Sequence, residues 1–104
     1  MAHPWGELDK AECKGNLGLL YFNNGQFKEG QKSLEDALRV FRSIPGTEPL
    51  QAKSLTNLGI YYLQNNKLDE AWRATKEALT ICERFPVGTE QIRNSCLEIL
   101  RQLR

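Results

Sequence analysis

The feature that most constrains this chain is that it matches itself. Asn16-Leu17-Gly18-Leu19-Leu20-Tyr21 returns as Asn57-Leu58-Gly59-Ile60-Tyr61-Tyr62, an offset of 41 residues. The same offset aligns Asn24 with Asn65, Phe27 with Leu68, Glu29 with Glu70, Ala37-Leu38 with Ala78-Leu79, and Val40 with Ile81. One gapless register over so many positions marks a repeated supersecondary unit that buries its apolar face against its neighbours.

The punctuation between periodic stretches gives two helices per unit. Asn23-Asn24-Gly25-Gln26 and Gln64-Asn65-Asn66-Lys67 are polar turn segments. Ser43-Ile44-Pro45-Gly46 and Phe85-Pro86-Val87-Gly88 end the second helices, because proline cannot continue them. Gly-Thr-Glu follows each time, at Gly46-Thr47-Glu48 and Gly88-Thr89-Glu90. Thr47 and Thr89 stand where N-caps belong, with Glu48 and Glu90 placed to favour the positive end of the next helix. The pattern predicts helices at roughly 8–23, 27–43, 48–64, 68–84 and 90–103. A short arm, 1–7, precedes repeats at 8–45 and 46–87. Residues 88–104 carry the stripe Ile92, Cys96, Ile99, Leu100 and Leu103, which reads as a capping helix or as a third repeat cut short. Trp5 is expected to staple the arm onto the first hairpin, and Trp72 to pack.

These residues resemble the tetratricopeptide repeat. Its first helix carries a Leu-Gly pair followed three residues on by Tyr, as Leu17-Gly18…Tyr21 and Leu58-Gly59…Tyr62 do. Its second helix carries a small residue and then Ala-Leu, here Gly30 with Ala37-Leu38 and Ala71 with Ala78-Leu79. The period of 41 exceeds the usual 34 or so, and Lys14 and Leu55 replace the usual early aromatic. The length is similar to that of the long-repeat members, such as kinesin light chains and the spindle-orientation adaptors. The resemblance implies an all-α, right-handed α-α superhelix: two helical hairpins plus the C-terminal helix. It also implies protein–protein binding, commonly of an extended peptide in the groove lined by the first helices. The family's carboxylate clamp wants Lys and Asn where Gly15 and Leu19 stand, so an acidic chaperone tail is not the expected ligand.

A helical wheel assigns Leu17, Leu20 and Tyr21 to the face that packs on the second helix. The opposite face holds Asn16, Leu19, Phe22 and Asn23, and in the second unit Asn57, Ile60, Leu63 and Gln64. Carboxamides donate and accept, so they can pair with the backbone of an extended peptide of any sequence, and the apolar members can take its side chains. The competing reading makes Leu19 and Ile60 interhelical packing, and Asn16 and Asn57 partners of backbone within the array. Asn23 and Gln64, beside the turns, fit a turn role better.

The remaining composition narrows the partners. A net charge of +1 gives no long-range field for nucleic acid or a membrane surface. No apolar run approaches a membrane span, Met1–Lys14 lacks a signal-peptide core, and the chain reads as cytosolic or nuclear. Cys13, Cys82 and Cys96 cannot all pair and lack metal-ligand spacing, so all three read as small reduced core residues. His3 is the one histidine. Met1-Ala2-His3 has the form of a copper-binding tripeptide, but loss of Met1 before Ala2 would destroy it. Without a second histidine a Ser-His or Cys-His pair is unavailable, and no glycine-rich phosphate loop occurs. No cofactor and no enzymatic activity are expected. Self-association into a homo-oligomer, or a piece excised from a longer repeat protein, are the alternatives to a peptide-binding adaptor.

Overall fold

The computed structural model describes residues 4–103. The chain is all-α among the described residues, with α1 Pro4–Asn23, α2 Phe27–Arg42, α3 Glu48–Gln64, α4 Leu68–Arg84 and α5 Glu90–Gln102. It divides into two compact units, 1–47 and 48–104. In the first, α1 packs on α2; in the second, α3, α4 and α5 pack on one another. No described helix is long and apolar enough to cross a membrane. One boundary differs from the sequence reading: α1 starts at Pro4, so residues 4–7 of the expected arm are helical. Proline suits a first helical position, where its missing N–H has no partner to lose. His3 and the side chain of Trp5 lie outside what the structure describes.

Both hairpin turns use one device. After α1, the Gln26 N–H bonds the Tyr21 carbonyl at 2.8 Å and the Gly25 N–H bonds Phe22 at 3.0 Å; after α3, Lys67 bonds Tyr62 at 2.8 Å and Asn66 bonds Leu63 at 3.1 Å. These paired bonds satisfy the last carbonyls of the first helix and require a left-handed residue. Gly25 supplies it at φ +79°, and Asn66 supplies it at φ +60°.

Thr47 and Thr89 hold the expected positions, and Thr89 does not play the expected role. The Thr89 hydroxyl donates backward to the Phe85 carbonyl at 2.6 Å, and it makes no cap to the α5 N–H groups. Thr47 likewise reaches back to the carbonyls of Phe41 at 2.5 Å and Ile44 at 2.8 Å. Both threonines are buried. Both hydroxyls close the helix behind them, where carbonyls lack partners.

The helix contacts are built from the smallest residues. A Cβ on Gly30 would stand 2.8 Å from the Gly18 carbonyl oxygen and 2.9 Å from the Phe22 ring. A Cβ on Gly18 would stand 3.0 Å from the Gly30 oxygen and from Leu34. The face of α1 that meets α2 is therefore Gly15, Gly18 and Phe22, and the wheel assignment of Leu17 and Leu20 to it is overturned. Leu17 is 42% and Leu20 60% exposed, whereas Phe22 is 9% exposed. Leu34 of α2 and Phe22 of α1 fill this contact. In the second unit a Cβ on Gly59 would lie 2.5 Å from Thr75 Oγ1 and 3.6 Å from the Ala71 oxygen. Ala71, Ala74 and Ala78 are buried beside it.

Two further expectations change. Cys13 is exposed; Cys82 and Cys96 are the buried pair. Trp72 is 48% exposed and lies under the Lys76 ammonium, 5.4 Å from its ring centre. Ion pairs between residues three apart join Asp36 to Arg39 on α2 and Glu98 to Arg101 on α5.

Candidate functional site

Within the second unit α3 and α5 border an open groove made of two adjoining clefts. The one nearer the helix starts, about 460 Å³, is lined by Lys53, Thr56, Asn57 and Ile60 of α3 and by Glu90, Gln91, Ile92 and Ser95 of α5. The other, about 480 Å³, is lined by Ile60, Leu63 and Gln64 opposite Asn94, Ser95, Glu98, Ile99 and Gln102. Ile60 and Ser95 belong to both and form the waist.

The groove follows from the repeat. Gly59, one residue from Ile60, turns toward α4 with no room for a side chain, and this fixes the rotation of α3. Asn57, Ile60 and Gln64 then turn away from the side that faces Thr75, while Leu63, four residues on from Gly59, stays nearer to it. Asn57, Ile60 and Leu63 are half-buried, and Gln64 is exposed. The structure thus brings together the four second-unit residues expected from sequence. The Asn57 carboxamide makes no hydrogen bond among the described residues. Its donors and acceptor are open to a ligand.

In the first unit, taken by itself, Asn16 and Asn23 are exposed and Leu19 is half-buried. Phe22 is a correction: it packs inward over Gly30, with its ring 5.4 Å from that of Phe27. It is core of the hairpin and presents nothing to a ligand. Where the first unit has Phe22 over Gly30, Leu63 and Ala71 hold the matching positions of the second, and Leu63 is half-buried at the groove.

Sequence reasoning missed the α5 side: Asn94, Ser95, Glu98 and Gln102. The available signal was the second Gly-Thr-Glu, which puts α5 in the place that α3 holds after the first. A helix in that place is a first helix and shares its groove-lining role, whatever else it covers.

Behind the groove floor lies a buried sulfur pair. Thr56 Oγ1 is 3.4 Å from Cys96 Sγ. Burial pushes the Cys96 thiol up, against a lowering bond from Thr56, and burial likewise pushes Cys82 up, against a lowering bond from Thr89. A thiol held protonated in apolar surroundings is a poor nucleophile, so these two are packing groups.

A family model described as Tetratricopeptide repeat matches residues 9–84, well over half of the chain. The chain belongs to the tetratricopeptide repeat family. Its matched span covers α1 to α4, and α5 follows it. Members of this family are generally protein–protein interaction modules, typically scaffolds without catalysis. No curated protein matches the chain at a significant level.

Proposed function

We propose that this tetratricopeptide repeat chain is an adaptor that holds an extended segment of a partner protein in the groove between α3 and α5. The observation that carries it is the open Asn57 carboxamide beside half-buried Ile60 and Leu63, facing carboxamides and a hydroxyl of α5. Such a lining offers hydrogen bonds to any peptide backbone and a shallow apolar seat for alternate side chains. In the first unit Asn16 and Leu19 repeat the pairing of amide and aliphatic group, and they are a further contact surface in this reading. The test is chemical-shift mapping with a peptide selected from a random library. Shifts concentrated at Asn57, Ile60, Leu63, Asn94 and Ser95 support the groove; shifts confined to α4 or to the outer surface of α2 refute it.

A second reading, self-association, has its own observation. Leu17 and Leu20 lie on one side of α1 and are 42% and 60% exposed, an apolar pair that a second copy would cover. Sedimentation decides it. A mass that rises with concentration and reverts to the monomer in Leu17→Glu/Leu20→Glu supports the self-associating module. A single monomeric mass over the range rejects it.

A further inference from the structure

The groove is not electrically neutral along its length. The cleft nearer the α3 end, with Ile60, Leu63 and Ile99 as its apolar floor, has Glu98 as its one ionisable lining side chain among the described residues; the others are carboxamides and Ser95. The adjoining cleft carries one group of each sign, Lys53 and Glu90. The apolar seat therefore sits beside a carboxylate that no cation among the described lining residues balances. Arg101 does bond to Glu98, but from outside that cleft, and it lines the next surface along α5 with Leu97 and Leu100. Gln102 reaches the other Glu98 oxygen at 3.4 Å. The Arg101 side chain is 74% exposed and that of Glu98 48%, and an exposed i,i+3 pair of this kind holds weakly. A ligand cation entering the cleft shares or replaces Arg101 at a carboxylate that the ligand itself partly shields from water, which strengthens the attraction. A ligand carboxylate there meets a like charge.

We infer that the segment taken by this groove carries an aliphatic side chain for the Ile60–Leu63–Ile99 seat and, next to it, a lysine or arginine for Glu98. This rests on the groove being the binding site. Glu98 steers and selects, and the aliphatic seat anchors. Acidic segments are rejected at the same place.

The test is selection on the full chain from three displayed peptide libraries of equal size. Each has a fixed leucine, and the residue beside it is Lys or Arg, Asp or Glu, or uncharged. The expected result is that the best binders come from the basic library and bind at least tenfold more tightly than the best acidic ones. Raising salt should narrow the gap, Glu98→Gln should erase it, and Glu98→Lys should reverse it. Acidic winners, or a basic preference unchanged in both Glu98 variants, overturn the inference. Binders that are lost in Ile60→Ala yet indifferent to charge overturn the inference and leave the groove standing. An absence of binders from all three libraries overturns both.

Discussion

At the scale of single residues, the two units solve one packing problem in two ways. Phe22 requires Gly30, and Leu63 accepts Ala71. A Gly30→Ala substitution should gain about 1 kcal/mol of helix propensity, yet its Cβ would meet the Gly18 backbone oxygen at 2.8 Å and the Phe22 ring at 2.9 Å. Overpacking of this kind costs about 1–3 kcal/mol, and part of it falls on backbone, which cannot turn aside. Gly30→Ala is therefore expected to destabilise. Phe22→Leu/Gly30→Ala should recover part of the loss, because it rebuilds the second unit's pair. Urea denaturation of the two single variants and the double variant measures the coupling; strictly additive effects would show that the ring and the glycine are independent. Thr75 gives a prediction of opposite sign. Its Oγ1 is buried with no hydrogen-bond partner among the described residues, at the position where the first unit has Leu34. An unpaired buried hydroxyl costs about 1–3 kcal/mol, so Thr75→Val should raise the urea midpoint, and a lowered midpoint would reveal an unseen partner for that hydroxyl.

At the scale of elements, the second unit is held by the meeting of α3, α4 and α5, and two thiols sit in it. Cys82 and Cys96 are raised by burial. The unfolded chain ionises them at an ordinary thiol pKa, whereas the folded chain keeps their protons to higher pH. Their contribution to stability is thus full below the ordinary value and is lost as pH rises through the raised folded values. The alkaline limb of a stability–pH curve should be shallower in Cys82→Ala/Cys96→Ala than in the parent chain, even though both cavities lower stability throughout. Parallel limbs would contradict this. The boundaries of α2 to α5 were readable to within a residue or so because prolines, turn amides and Gly-Thr-Glu are local signals. The rotation of α1 was not. A wheel ranks faces by apolar bulk, but the α1–α2 contact is made by Gly15, Gly18 and Gly30, whose value lies in what they lack. Leu17 and Leu20 consequently looked like core and are surface. The Thr89 cap failed for a related reason: position along the chain identified it, but direction of bonding depends on which carbonyls the preceding loop leaves open.

At the scale of the molecule, family and class were legible because a repeat prints the same physical requirements twice. Half of the candidate site was legible as well: Asn57, Ile60, Leu63 and Gln64 line the α3–α5 groove, while the contribution of α5 escaped a reading that saw its apolar stripe and took the helix as a cover. Its polar flank borders the groove together with Ile92 and Ile99 of the stripe. The central claim is that this groove holds a partner segment through Asn57 and the aliphatic floor beside it. Its most direct test is to select a binding peptide on the parent chain and titrate that peptide into Asn57→Ala and into Ile60→Ala, with helicity checked by circular dichroism. At least a tenfold loss of affinity in each, about 1.4 kcal/mol, with helicity kept, is the expected result. Undiminished binding in both variants would place the ligand elsewhere and contradict the groove as the site of function.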